Sequence, residues 1–387
     1  MKFETQAIRT QTQRGKQREH STPIFATSSY IFDDADEMRQ IFSDEIPGNV
    51  YSRYTNPTVK EFETKVALLE GGEAARATTT GMAAIFTTFA CLLAQGDHVL
   101  MSQAVFGSTI KLMENYFQKW GITFTLVNSQ DPAEWEKAIL PNTKIAYFET
   151  PSNPGLQIFD LDAFGKMFAK NGIISIVDNC FATPYLQQPI KFGIDIVIHS
   201  ATKYMDGQGR VMGGVIVGKN AHIALIEQFM RNAGPTLSPF NAWILSKSLE
   251  TLAVRMDRHC ENALKLAEWL SHHQKIKRVS YPFLESHPDY EIAKKQMKAG
   301  GGIVTFEVDG DLEKGRKVLN KLKMMSMSAN LGDTRSISTH PASTTRSKLS
   351  PEQRSLAGIT NSMIRVSTGL EHIDDIIADL NKALSTI

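Results

Sequence analysis

Cysteine is scarce in this 387-residue chain, which has three: Cys91, Cys180 and Cys260. They are widely spaced and form no Cys-x-x-Cys pair, which argues against a disulfide framework and against a zinc ribbon. No uncharged apolar run approaches the roughly 18 residues that a membrane-spanning helix needs. No apolar core follows the polar N-terminus, as a secretory signal would require. We therefore expect a protein of the reducing cytoplasm with no membrane partner.

An excess of charge of one sign is also missing. The 42 Lys and Arg residues nearly balance the 41 Asp and Glu residues and leave a formal net charge of +1. Bulk charge therefore does not predict a nucleic-acid partner. The ten His residues include no His-Glu-x-x-His pair, and we expect no metal. The Gly-rich stretch 207–214 lacks the spacing and the strand–helix setting of a dinucleotide site, which argues against a nicotinamide cofactor.

Strand-like and helix-like segments alternate through the middle of the chain. Asn56 and Pro57 begin a helical pattern that Gly71 ends. Short apolar segments that predict strands follow at intervals over residues 98–217. One of them, 173–177, is an unbroken apolar run, which is typical of a strand buried on both faces. This alternation predicts an α/β fold with a mainly parallel sheet covered by helices on both sides.

The pattern changes after Pro239. The later segments predict long helices over 240–270, strands at 277–279, 302–308 and 363–367, and a closing helix over 374–384. We expect a large domain over residues 56–250 and a smaller α+β domain over 251–387. The first 55 residues show weak periodicity and predict an extended arm that contacts a neighbouring subunit.

Polar residues follow two of the predicted strands at the edge where open α/β sheets bind ligands. Asp178 ends the apolar run 173–177, where an ionised carboxylate is costly without a cationic partner. A turn or a helix cap is the alternative role for it. Lys203 follows Ser200 and Thr202 at the end of the next strand, and a solvated loop residue is the alternative there.

Together these residues match what pyridoxal 5'-phosphate requires: a lysine, a carboxylate for the ring nitrogen and a phosphate cradle. Lys203 can attach the cofactor, and Asp178 can hold the ring nitrogen protonated. Ser200 and Thr202 can donate their hydroxyls to the phosphate. The loop 78–82 enters a helix, so its backbone N–H groups can face an anion, with a plain helix N-terminus as the alternative. The residues therefore predict pyridoxal 5'-phosphate as the cofactor.

Longer motifs surround these residues along almost the whole chain. They are YSRYTNPT at 51–58, GMAA at 81–84, ETPSNP at 149–154, VDN at 177–179, HSATKY at 199–204 and HPAS at 340–343. On these motifs the sequence closely resembles the Cys/Met-metabolism family of pyridoxal-phosphate enzymes. The resemblance implies fold type I, with a mainly parallel seven-stranded sheet in the large domain and a smaller C-terminal α+β domain.

The resemblance also implies a role for each matching residue. Lys203 attaches the cofactor and transfers protons, and Arg365 binds the substrate α-carboxylate, near which Asn330 also lies. The implied cofactor contacts are Asp178 at the ring nitrogen, Gly81, Met82, Ser200 and Thr202 at the phosphate, Asn153 near the phenolic oxygen, and Tyr51 and Arg53 at the phosphate of the neighbouring subunit. Active sites shared within a homotetramer, a dimer of dimers, are implied as well.

Two residues depart from the family pattern. Phe106 occupies a position where tyrosine often stacks on the cofactor ring, so stacking is kept but a phenolic acid is lost. Tyr51 is our candidate for that catalytic role. Arg346 occupies a position where histidine is usual. It is a candidate for binding the distal carboxylate of a succinyl group, and a surface arginine in a loop is the alternative.

Several stretches resemble the homoserine-ester sulfhydrylases of the family most. The expected reaction is replacement of the succinyl group of O-succinyl-L-homoserine by sulfide to give L-homocysteine in methionine biosynthesis. The expected small-molecule partners are thus an O-acyl-homoserine and sulfide. An acetyl ester as substrate, cysteine as nucleophile, or γ-elimination are alternatives on the same fold. A non-catalytic binding protein is a further alternative, against which the joint presence of Lys203, Asp178 and Arg365 argues.

Overall fold

Two β-sheets organise the structure, a computed structural model that describes residues 1–11, 14–348 and 350–387. The strands of the first sheet are β1 (Ala74–Thr78), β2 (His98–Ser102), β3 (Thr123–Val127), β4 (Thr143–Glu149), β5 (Ile174–Asp178), β6 (Ile196–His199) and β7 (Gly214–Gly218). Their order across the sheet is β1-β7-β6-β5-β4-β2-β3. All pairs are parallel except the two that β7 forms with β6 and β1. The expected mainly parallel, seven-stranded sheet is confirmed.

Helices cover both faces of this sheet. The helices of this part of the chain are α1 (Phe3–Arg9), α2 (Ala35–Phe42), α3 (Pro57–Glu70), α4 (Gly81–Leu92), α5 (Gly107–Asn115), α6 (Pro132–Lys137), α7 (Leu161–Lys170), α8 (Thr183–Leu186), α9 (Asn220–Ala233) and α10 (Pro239–Leu249). Successive residues of β5 enter different cores: Val177 packs with the α3 and α7 side, and Ile176 packs with the α4 and α9 side. Burial on both faces explains why this strand is apolar throughout.

The second sheet lies in the C-terminal part of the chain. Its elements are α11 (Leu252–Ser271), β8 (Ile276–Ser280), α12 (Tyr290–Gln296), β9 (Ile303–Val308), α13 (Leu312–Lys321), β10 (Ser326–Met327), β11 (Ile337–Thr339), α14 (Pro351–Leu356), β12 (Met363–Ser367) and α15 (Ile373–Leu384). The strand order is β10-β11-β12-β9-β8. A core of its own joins this sheet to α11 and α15. The smaller α+β unit is thus confirmed, whereas the domain boundaries after residues 55 and 250 stay predictions.

The first 55 residues are not a wholly extended arm, contrary to the sequence-based expectation. They contain the short helices α1 and α2. Ala7 of α1 is buried in the main core, and the Phe3 ring packs 5.1 Å from the Tyr185 ring. Helices of seven and eight residues show too few turns for a clear periodicity, which explains the difference. None of the described helices is long and apolar enough to cross a membrane.

Candidate active site

The ends of β4, β5 and β6 form the site. Glu149, Asp178 and Ile198 are neighbours in register across these three parallel strands. His199 closes β6, and the segment that contains Ser200 and Lys203 follows it directly. Because parallel strands end at the same edge, Asp178 and the Lys203 segment come together there, as the sequence predicts.

Asp178 is a half-buried carboxylate without a cationic partner. Its Oδ1 accepts the backbone N–H of Cys180 at 2.9 Å, and its Oδ2 accepts the Tyr147 hydroxyl at 3.4 Å. No lysine, arginine or histidine of the described residues lies within ion-pair distance of it. Burial raises the pKa of Asp178, which the Cys180 N–H and the nearby His199 oppose. A protonated ring nitrogen is a cation of the kind that this carboxylate lacks, so the residue fits pyridoxal phosphate.

Lys203 lies beside a residue from the C-terminal part of the chain. Its Nζ donates to Oδ1 of Asn330 at 2.6 Å. Gly332, in the left-handed region at φ +75°, packs on the backbone here, and a Cβ on it would lie 3.0 Å from the carbonyl carbon of Lys203. Burial lowers the pKa of Lys203, and Arg365 acts in the same direction. A lowered pKa increases the fraction of neutral amine, which is the form that reacts with an aldehyde or takes up a proton.

The N-terminus of α4 and the Lys203 segment meet at a small-residue contact. A Cβ on Gly81 would lie 2.7 Å from Cβ and 3.0 Å from Oγ of Ser200. Thr80 caps α4 by accepting the N–H of Ala83, which leaves the first helical N–H groups free to face an anion. Thr202 Oγ1 accepts the N–H of Gly213 at 3.1 Å. This close approach fits a phosphate cradle.

Arg365 in β12 is a buried guanidinium, 5% exposed. Its Nη1 donates to Oδ1 of Asn153 at 3.0 Å, and its Nη2 donates to the carbonyl oxygen of Asn330 at 3.1 Å. Its Nε is buried and has no partner among the described residues. Burial lowers the pKa of Arg365 to about 10. This guanidinium is held by two asparagines and has no carboxylate partner among the described residues. It can therefore bind the α-carboxylate of a substrate.

Arg346 lies at the site and not on the open surface. Its guanidinium packs on Gly107 at the start of α5, directly after Phe106. Burial lowers the pKa of Arg346, whereas the nearby Glu149 raises it. Arg346 in turn lowers the pKa of Arg365, so the two guanidinium groups are close enough to repel each other. Arg346 is therefore a second cation at the site, next to the start of α5.

Tyr51 and Arg53 are not brought to Lys203 within this chain. Tyr51 is 42% exposed, and the Arg53 guanidinium lies 4.7 Å from the ring centroid of Tyr54. Both residues line a cavity together with Thr79 and Thr80. In the described part of the chain neither residue forms a hydrogen bond or an ion pair with Lys203.

The sequence predicted no role for three polar residues near the site. Tyr147 donates to Asp178, and Glu149 accepts the backbone N–H of Phe106. Glu70 bonds to His199 from the far end of α3. Register could have indicated Tyr147 and Glu149, because they belong to the strand next to β5. Over the described residues, no group of three His, Cys, Asp or Glu side chains is placed to hold a metal ion.

Fold and site together define a class. The chain belongs to the family of Cys/Met metabolism PLP-dependent enzymes, where PLP is pyridoxal 5'-phosphate, and it matches that family over residues 4–385. It is therefore an enzyme whose cofactor is pyridoxal 5'-phosphate. The resemblance found in the motifs is confirmed.

Individual relatives indicate which reactions occur among proteins similar to this chain. The chain is 48% identical over 385 residues to an O-succinylhomoserine sulfhydrylase of Pseudomonas aeruginosa, covering 100% of this chain and 96% of that protein. It is 44% identical over 369 residues to an L-methionine gamma-lyase of Fusobacterium nucleatum, covering 94% and 93%. Because both activities occur among similar proteins, the comparison shows that the chain is a pyridoxal-phosphate enzyme of this family. It does not decide between the sulfhydrylase reaction and the lyase reaction.

Solved structures share the whole fold. A protein of Campylobacter jejuni named as an O-acetylhomoserine (thiol)-lyase superposes with a TM-score of 0.95 at 35% identity, and all of each chain is covered. That structure carries a pyridoxyl-lysine monophosphate residue. MetB of Corynebacterium glutamicum superposes with a TM-score of 0.93 at 35% identity, covering 100% of this chain and 98% of that one.

Proposed function

We propose that the protein is an O-succinylhomoserine sulfhydrylase, which replaces the succinyl group of O-succinyl-L-homoserine by sulfide and releases L-homocysteine and succinate. The observation that carries the proposal is a second arginine at the site, Arg346, whose guanidinium packs on Gly107 directly after Phe106. The succinyl ester has two carboxylates, at Cα and at the distal end of the succinyl group, whereas the acetyl ester and methionine have one. Two guanidinium groups match two carboxylates. The sulfhydrylase relatives support the same choice.

Lys203 and Asp178 serve the cofactor in this proposal. When bound, pyridoxal phosphate delocalises the negative charge that proton removal leaves at Cα. Asp178 keeps the ring nitrogen protonated, which makes the ring the stronger electron acceptor. Lys203, whose pKa burial lowers, would attach the cofactor, and once the substrate amine has displaced it, its free amine would take the Cα proton. Gly81, Met82, Ser200 and Thr202 are proposed to hold the phosphate in the cradle between α4 and the Lys203 segment.

Arg365 and its two asparagines orient the substrate. Asn153 and Asn330 each accept a hydrogen bond from the Arg365 guanidinium, so they fix the plane in which it meets the α-carboxylate. Asn330 also contacts Lys203 and thereby links substrate binding to the reacting amine. Asn153 is proposed to lie near the phenolic oxygen of the cofactor. Arg346 then binds the distal carboxylate before the succinyl group leaves.

The site is proposed to be complete only in a dimer. Tyr51 and Arg53 are partly exposed residues beside a cavity, and within the described part of their own chain they form no hydrogen bond or ion pair with Lys203. Arg53 would reach the phosphate of a neighbouring subunit, where a charge-assisted hydrogen bond is worth roughly 1.5–3 kcal/mol. Tyr51 would supply the phenol that Phe106 lacks. Two such dimers are proposed to form the homotetramer.

A matrix of steady-state measurements tests the proposed reaction. The enzyme is assayed with the succinyl and the acetyl ester of homoserine, each with sulfide and with cysteine. We expect the highest kcat/KM for the succinyl ester with sulfide, since that ester alone has a carboxylate for Arg346. Preferred formation of cystathionine, preference for the acetyl ester, or release of methanethiol from methionine as the fastest reaction would each overturn the assignment.

A further inference from the structure

Glu70 is a carboxylate in the interior of the protein that has no place in the mechanism described above. Its side chain is 0% exposed, and it is the last residue of α3. The C-terminal end of a helix carries a partial negative charge, which disfavours an acidic residue there. Burial raises the pKa of Glu70, and the hydrogen bond to His199 opposes this. Burying a carboxylate in such a position destabilises the fold unless its hydrogen-bond partners offset the loss of hydration.

The partners of Glu70 belong to the two segments that form the active site. Its Oε2 lies 2.7 Å from Nε2 of His199, the residue before Ser200. The amide nitrogen of Asn179 lies 3.5 Å from Oε1 and 3.4 Å from Oε2 of Glu70. Asn179 directly follows Asp178. One carboxylate therefore contacts both the end of β6 and the residue next to Asp178.

Asn179 is held in place by further hydrogen bonds, so its contact with Glu70 can restrict the position of the neighbouring Asp178. It is fully buried, and its amide nitrogen also donates to the carbonyl oxygen of Gln187 at 2.8 Å. Its backbone N–H donates to the carbonyl oxygen of Ile198 at 3.0 Å, which ties the loop after β5 to β6. Asp178 is the last residue of β5 and directly precedes this fixed residue. The ring of His199 is also among the groups that act on the charge of Asp178.

We propose that Glu70 is a positioning residue: through His199 and Asn179 it holds Asp178 in place for the ring nitrogen of pyridoxal phosphate. The inference rests on the proposed role of Asp178. A purely architectural Glu70 would instead stabilise the sheet edge without any specific link to Asp178. When Glu70 is ionised it can only accept hydrogen bonds, so Nε2 of His199 is then the donor, and the 2.7 Å contact fixes the orientation of the imidazole.

A double-mutant cycle on cofactor binding separates these two roles. The dissociation constant of pyridoxal phosphate is measured by equilibrium dialysis for the unmodified protein, Glu70→Gln, Asp178→Asn and the double variant. Asp195→Asn is the matched control, since Asp195 is also a carboxylate that bonds to a strand of this sheet, at Ser175, but at the opposite end of β6. Residues that act through each other give non-additive effects, whereas independent residues give additive ones.

We expect Glu70→Gln to raise the dissociation constant about tenfold with Asp178 present and less than about twofold with Asn at position 178. Asp195→Asn should change it less than about twofold in either background. An equal effect of Glu70→Gln in both backgrounds, or no effect in the first, overturns the inference. If Asp178→Asn alone binds the cofactor like the unmodified protein, Asp178 adds no affinity for Glu70 to support, and the inference is overturned. Unchanged turnover of Asp178→Asn would instead overturn the proposed role of Asp178 in the reaction. Should Glu70→Gln not fold, His199→Gln takes its place in the same cycle.

Discussion

Asp178 and Arg365 share one property at the scale of single residues: each is a charge withdrawn from solvent that has no ion-pair partner among the described residues. Most buried charges in proteins are paired, because an isolated one is expensive. The two residues therefore point to ligands of opposite charge. A protonated ring nitrogen would be the ligand of Asp178, and a substrate carboxylate would be the ligand of Arg365. Lys203, at the same site, has a pKa that burial lowers.

Arg346 carries the prediction at this scale. Arg346→Leu should lower kcat/KM for the succinyl ester by about tenfold or more, because a charge-assisted hydrogen bond is lost. The acetyl ester has no distal carboxylate, so its kcat/KM should change little. Steady-state kinetics with both esters give the ratio of kcat/KM for the succinyl ester to kcat/KM for the acetyl ester. Arg316→Leu is the control, since Arg316 is an exposed arginine paired with Glu313. A ratio of the two esters that stays the same in Arg346→Leu would remove this residue from substrate recognition.

Individual elements differ in how far the sequence determines them. Helix α3 and strand β12 have the bounds predicted for them, because the residue pattern of each segment and the residues that flank it agree there. Strand β1 escaped prediction, since Ala-Ala-Arg-Ala-Thr has low β-propensity and forms a strand only by pairing with β7. Helix α9 was also missed. At the site, Asp178 and Lys203 follow from strand ends, whereas the position of Arg346 depends on the folding of a distant loop onto Gly107.

His259 makes the link between α11 and the loop after β12 dependent on pH. It is buried and its Nδ1 bonds to the carbonyl oxygen of Thr368 at 2.7 Å, while its Nε2 has no partner among the described residues. Burial lowers the pKa of His259 to about 4. In the unfolded chain the imidazole binds a proton near pH 6.5, so the unfolded state takes up more protons between pH 6.5 and about 4.

Stability must therefore fall as the pH falls through this window, by up to about 3 kcal/mol from this residue. Urea denaturation at pH 7 and at pH 4.5 measures the free energy of unfolding. His259→Gln, which cannot titrate, should lose less stability between the two pH values than the unmodified protein. An equal loss in both proteins would show that His259 does not contribute.

At the scale of the whole molecule, the N-terminal segment bears on how two copies of the chain associate. Tyr51 and Arg53 lie in the N-terminal segment and form no hydrogen bond or ion pair with Lys203 among the described residues, whereas the resemblance to the family implies that they contact a phosphate. Apolar side chains in the same segment are exposed, among them Ile31 at 98% and Phe42 at 50%. Both facts are explained if this segment packs on a second copy of the chain.

Mixing two impaired variants tests the shared site. Arg53→Ala should weaken cofactor retention and Lys203→Ala should abolish turnover. In a mixed dimer of a shared-site enzyme, one site has both lesions and the other has none, so co-refolding should restore part of the activity. The mass of the mixed species confirms that subunits have exchanged. Exchange without any recovery of activity would show that each site takes both residues from one chain.

The most direct test of the central claim is to identify the residue that carries the cofactor. Borohydride reduction of the protein loaded with pyridoxal phosphate makes the attachment permanent, and digestion followed by mass spectrometry locates it. We expect a single modified residue, Lys203, at the end of β6 beside Asp178. Modification of a different lysine, or no stable attachment, would contradict the assignment of this sheet edge as the active site.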